Sequence, residues 1–169
     1  MQSESARMSS GAEARFRIDA PNAAARRVKV IALDPASAAV VTSLAQQPWN
    51  NASFFTAAAF ASAPPERGFS MQGWLADLSG RTRNLIDEVD SADLVVMVAA
   101  AGQDAQAAAL IGEACSLRRV GATGLILSGP SVTDEMLSRT LAQLRPWSLM
   151  LVIAEGEDYI EDMLCALRA

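Results

Sequence analysis

The residues of this sequence that are equipped for chemistry fall at short breaks between apolar runs. Asp34 and Ser37 follow the run at 28–33, and Gly102, Gln103 and Asp104 follow the run at 94–98. Ser128 and Ser131 come after the run at 123–127, and Glu155 after that at 149–154. Carboxylates and hydroxyls gathered in this way suit a cationic or hydroxylated small ligand, or a hard divalent ion bound through oxygen. They repel a free phosphate. Each of these residues also has a local structural use, because Asp and Ser cap helix N-termini and acids in a first turn complement the helix dipole.

Other chemistries are closed by what the chain lacks. It contains no histidine, which removes histidine triads, imidazole bases and the commonest zinc and iron sites. Its two cysteines, Cys115 and Cys165, stand alone within helical stretches, in no C-x-x-C pair, and are expected to be small buried hydrophobes. No metal site is expected. Lys29 is the single lysine beside 13 arginines, and it lies inside a predicted strand. Catalysis by carboxylates, serines or Tyr159 stays open, but no residue is assigned a catalytic role.

The elements that must position these residues alternate in a regular way. The run at 28–33 reads as a strand buried on both faces and that at 123–127 as another buried strand, while the runs at 94–98 and 149–154 read as further strands. A further strand is expected at 52–60, and a weaker edge strand at 70–76 carrying Trp74. Helices are expected at 36–47, 81–89, 105–119, 133–144 and 157–167. Asp34-Pro35 opens the first. Gly121 is expected to end the third, and Ser131 with Asp134 to form a capping box for the fourth. Pro64, Pro65 and Gly68 place a surface loop at 61–69. Strands separated by helices of this length form βαβ units, so the fold class is α/β: an open, mainly parallel, Rossmann-like sheet of five or six strands with helices on both faces. Residues 1–26 are polar and lack hydrophobic periodicity, and read as a flexible tail ahead of one domain at 27–169. In such a sheet, ligands bind beyond the carboxyl ends of the strands where strand order reverses. If the strands at 28–33 and 94–98 are neighbours there, Asp34 faces Gly102, Gln103 and Asp104 across the crevice. An Asp34→Asn, Asp104→Asn pair is then expected to abolish binding at little cost in stability, since Asn caps about as well as Asp.

The order and spacing of these elements resemble the N-terminal nucleotide-binding half of the tubulin/FtsZ family. Arg27-Val28-Lys29-Val30-Ile31-Ala32 is similar to that family's opening strand. Residues 81–102, RTRNLIDEVDSADLVVMVAAAG, are similar to its helix running into "ADMVFVTAG". The likeness covers residues 27–131 and lies in the layout of elements. The glycine-rich phosphate loops of the family are lost: Asp34-Pro35-Ala36-Ser37 stands in place of the first, and residues 101–107, AGQDAQA, in place of the GGGTGTG type. These residues also hold no counterpart of the family's C-terminal catalytic domain. The resemblance therefore implies a degenerate nucleotide-binding scaffold serving as a non-catalytic regulatory or assembly module, and GTP hydrolysis is not expected. The alternatives are a nucleotide-cofactor enzyme or subunit associated with an oxidoreductase, and a small-molecule sensor using the acidic crevice; no cofactor is identified.

Charge and composition bound the partners. The 169 residues carry a net charge of −5, which argues against a nucleic-acid partner, whose phosphates need a basic surface. No apolar stretch reaches membrane-spanning length, and the unpaired cysteines fit a reducing, cytoplasmic setting. The acids Glu155, Glu157, Asp158, Glu161 and Asp162 read as a solvated helix face. Trp49, Met71, Trp74 and Trp147 read as core or edge-strand packing. An edge strand near Trp74 is expected to bring copies together, giving a homodimer.

Overall fold

The computed structural model describes residues 25–57 and 73–169. Its strands are β1 (Val28–Ala32), β2 (Ala52–Thr56), β3 (Trp74–Asp77), β4 (Thr82–Asn84), β5 (Leu94–Ala100), β6 (Gly121–Leu127) and β7 (Met150–Ala154). Its helices are α1 (Pro35–Leu44), α2 (Leu85–Asp90), α3 (Ala107–Arg118), α4 (Asp134–Leu144) and α5 (Glu157–Ala166). A 3-10 turn, Arg145–Trp147, joins α4 to β7. Most of the expected tail at 1–26, the loop at 61–69, Met71 and the ends of two expected strands lie outside the described residues.

The strands form one seven-stranded sheet in the order β4-β3-β2-β1-β5-β6-β7. From β2 to β7 through β1, β5 and β6 every pair is parallel, whereas β2–β3 and β3–β4 are antiparallel. The inner strands β1, β5 and β6 are sandwiched, which is why β5 reads as a continuous apolar run with all but Ala100 buried, whereas β7, equally apolar, is largely half-buried or exposed. On one face Ile31, Leu33, Val95, Met97 and Ile126 pack against Leu85 and Val89 of α2, Ile111 of α3 and Leu144 of α4. On the other, Val30, Val96, Val98 and Leu125 meet Val41 and Leu44 of α1 and Ile160 and Leu164 of α5. Period-two alternation along each strand supplies both layers at once.

Several local expectations change. The helix expected at 81–89 is a short strand followed by a shorter helix. β4 is captured by antiparallel pairing with β3, and Asn84 caps α2 by accepting the Ile86 N–H at 2.8 Å. Trp74 is therefore not on an edge strand, because β3 lies between β2 and β4. Gly121 does not end α3; Arg119 does, at φ +56°, and Gly121 is the first residue of β6. The cap of α4 is Thr133 and not Ser131: the Thr133 hydroxyl accepts the Met136 N–H at 3.3 Å. Cys115 is buried as expected, but Cys165 is exposed on the outer side of α5.

Candidate functional site

The geometry that decides the site is set by the reversal of strand order. β1 and β5 are parallel neighbours, with Val28 level with Leu94 and Ala32 with Val98. From β1 the chain crosses to β2 on one side; from β5 it crosses to β6 on the other. α1 and α3 thus leave on opposite faces, and the switch point lies above the carboxyl ends of β1 and β5. Asp34 and Ser37 come from the end of β1, and Gly102, Gln103 and Asp104 from the end of β5. Ser128 and Ser131 follow β6, and Glu155 follows β7, so the whole set shares one sheet edge.

Asp34 occupies the switch point itself. Its side chain is 3% exposed, and both carboxylate oxygens are engaged. Oδ1 accepts the N–H of Ser37 at 2.8 Å, closing the first turn of α1. Oδ2 accepts the N–H of Ala100, the last residue of β5, at 2.8 Å. The Ser37 hydroxyl lies 3.0 Å from Oδ2 and donates to it, while accepting the Asp34 N–H at 3.2 Å. Ser37 is fully buried. Pro35 at the first position of α1 has no N–H to satisfy, and the carboxylate reaches the Ser37 N–H two residues further on. A carboxylate here does for the helix N-terminus what a phosphate does in a nucleotide-binding fold.

The loop after β5 is held by α4. Gly102 has φ +83°, a left-handed conformation that favours glycine. A Cβ there would come within 2.6 Å of Met136 Cε and 3.2 Å of its Cβ and Cγ. The Gly102 N–H donates to the hydroxyl of buried Thr140 at 2.9 Å, and the Ala105 N–H to Gln143 Oε1 at 2.8 Å. Asp104 is exposed and turns to its own loop, where Oδ1 accepts the Gln106 N–H at 3.0 Å. Gln103 is exposed, its N–H donating to Ala100 O at 3.1 Å. Ser128 is half-buried and extends the ladder through its N–H to Ala154 O at 2.8 Å. Ser131 and Glu155 are exposed, and Glu155 caps nothing: the N-cap of α5 is Gly156, which supplies no side-chain cap.

Thr140, Gln143 and Met136 are the residues that sequence reasoning missed. Their signal is the polar Thr140 one turn before Leu144, on the stripe of α4 that faces the core. Among the described residues no three His, Cys, Asp or Glu side chains are grouped to hold a metal ion.

Concavities lie beside α3 and α4, and one of them reaches the loop after β5. One of about 240 Å³ is lined by Cys115, Ser116, Trp147, Ser148 and Leu149, and one of about 400 Å³ runs between α3 and α4 past Gln106, Gln143 and Trp147. Gly112 admits the Trp147 side chain to α3, since a Cβ there would overlap Trp147 Cβ. Cys115 is the one titratable group lining either, and burial pushes its thiol up to about 11. It remains a thiol at neutral pH and is not a nucleophile. Lys29 is also structural: Nζ meets Glu88 Oε2 of α2 at 2.8 Å and lies 5.6 Å from the centre of the Phe55 ring. No protein-family model matches this chain, and no curated protein matches it.

Proposed function

We propose that this chain is a non-catalytic regulatory or assembly module, built on a tubulin/FtsZ-type Rossmann-like scaffold whose phosphate apparatus an internal carboxylate has replaced. The observation that carries the reading is the double use of Asp34. Nucleotide-binding α/β folds leave the N–H groups at the first helix and at the switch point open to a phosphate. Here the Ser37 and Ala100 N–H groups both point at the Asp34 carboxylate. A phosphate arriving at that place meets a buried negative charge and donors already engaged. The glycine that survives after β5, Gly102, packs against Met136 and serves a turn. The scaffold keeps the shape of the fold while its anion site is filled from within.

A second reading, a sensor for a cationic or hydroxylated small molecule, draws on the exposed Asp104, Ser131 and Glu155 along the same sheet edge. The two readings separate in one thermal-shift experiment with GTP, ATP, NAD, NADP, FAD, polyamines, sugars and divalent ions. Ligand at a hundredfold excess over Kd stabilises a fold by about 2.7 kcal/mol, which raises the melting temperature of a domain this size by roughly 5–10 °C. No nucleotide is expected to produce that rise, and no nucleotide hydrolysis is expected. A saturable rise with any nucleotide overturns the proposal. A rise with a cation or polyol that is lost in Asp104→Asn establishes the second reading instead.

A further inference from the structure

The two outer strands of the sheet are built on opposite plans. β4 has three residues, Thr82, Arg83 and Asn84, all polar, and Arg83 is paired with Asp77 at 3.6 Å. Short, charged edges of this kind resist pairing with another chain. β7 has five residues, MLVIA, with neither a charge nor a proline. Among the described residues it pairs on one side only, with β6. Apolar side chains stand open along it: Leu149 is 88% exposed, Met150 42% and Ile153 43%. Both faces of the sheet contribute. Leu151 packs into the layer of α2, α3 and α4, so Leu149 and Ile153 share that face, while Met150 lies with Val152 on the layer of α1 and α5.

The neighbouring helix extends the patch. Glu157 of α5 reaches Ser43 of α1 at 3.4 Å, which fixes the flank of α5 that looks along the sheet toward α1. Tyr159 and Met163 fall on the opposite flank by helical geometry, beside the open edge of β7. Tyr159 is exposed and Met163 half-buried.

We infer that β7 is a homodimer interface, pairing antiparallel with β7 of a second copy about a twofold axis at Val152. The inference does not depend on the reading of the switch point. A twofold axis across a strand makes that strand its own antiparallel partner, so the open edge is complementary to itself without any other surface. Val152 is the middle residue of β7, and centring there gives every residue of the strand a partner. The flanking charges favour the same arrangement. Arg145 precedes the strand while Glu155 follows it, so antiparallel pairing brings the basic flank of one copy toward the acidic flank of the other. A specific interface buries at least about 1,000 Å² in total. That area needs side chains beside the strand, which Leu149, Met150, Ile153 and Tyr159 provide.

Sedimentation velocity on the full chain tests this from low to high micromolar concentration. A species of twice 17.8 kDa is expected. Leu149→Lys with Ile153→Lys should weaken it by about 100-fold, the scale of losing central interface anchors, with the far-ultraviolet circular dichroism unchanged. Leu78→Lys, at a leucine beyond β3 as exposed as Ile153, should leave the dimer intact. Val152→Cys in a Cys165→Ser background should form a disulfide-linked dimer on mild oxidation, and this decides the matter if the lysine variant fails to fold. A monomer at every concentration overturns the inference. So does a dimer indifferent to the lysines, or one broken by Leu78→Lys, or the absence of the Val152→Cys cross-link.

Discussion

Asp34 Oδ2 accepts the backbone N–H of Ala100 at 2.8 Å, joining residues 66 positions apart across the one place in the sheet where the crossovers diverge. With Oδ1 on the Ser37 N–H, a single buried carboxylate ties the start of α1 to the end of β5. That contact lies at the place where this fold class ordinarily takes a ligand.

The expected cost of removing the carboxylate follows from counting its bonds. Asp34→Ala should destabilise the fold by about 2–4 kcal/mol: about 1 for the lost cap and a further 1–3 for the buried Ala100 N–H left without a partner. Asp34→Asn, which sequence reasoning expects to be mild, should itself cost about 1–3 kcal/mol, because its amide presents N–H groups to a donor at one of the two places. Urea denaturation measures both. A loss under 0.5 kcal/mol for the Asn variant, on the order of an ordinary surface change, would show that one oxygen suffices.

The turn after β5 gives a second expectation. Gly102→Ala should cost about 1–2 kcal/mol for the left-handed backbone alone, with the Met136 contact adding to it. Met136→Ala in the same chain should recover the contact part and leave the backbone part. Thr140→Val, nearly the same shape, should cost about 1–3 kcal/mol by stranding the Gly102 N–H. Thermal denaturation of the four chains separates these contributions.

Lys29 and Glu88 form an ion pair whose side chains are only 13% and 17% exposed. Taking away one partner leaves a largely buried charge, so Lys29→Met should cost about 1–3 kcal/mol, below the range for a fully buried pair because water still reaches both groups. Lys29→Met with Glu88→Gln should regain part of the loss. A double-mutant cycle with zero coupling would show that the pair is held together by the packing around it.

The pH dependence has a defined sign. Hydrogen bonding from the Arg27 side chain and then from its backbone N–H holds Asp93 at about 2, below the ordinary 3.8. Asp77 is also lowered, first by the Ser79 hydroxyl and then by the Arg81 N–H. A carboxylate lowered in the folded state contributes stability that is fully present above its unfolded value and is lost as pH falls through the folded one. Melting temperature should therefore hold above pH 4 and fall between pH 4 and 2. Asp93→Asn should melt lower at neutral pH and show a shallower acid limb. Parallel acid limbs in the two proteins would remove Asp93 from the account.

Local pattern was enough to place β1, β5 and β6, because a strand sandwiched between two helical layers must be apolar at successive positions, as in Leu94 to Ala99, and the same apolar pattern placed β7 although its edge is open. It was also enough to mark Asp34-Pro35 as a helix start and to put the polar residues beyond strand ends. β4 was illegible. Thr82, Arg83 and Asn84 carry no strand pattern of their own, and only pairing with β3 makes them one. The site shows the same division. That Asp34 caps α1 is a contact over three residues and follows from chain-local geometry. That its other oxygen holds Ala100 depends on β1 and β5 being neighbours, a relation between segments 66 residues apart. Thr140 and Gln143 likewise reach the loop after β5 from α4 only once both are packed on the sheet. Residue types and short spacings determine which groups are available and which helices and strands form; sheet order and packing decide whether a carboxylate meets a ligand or the protein's own backbone.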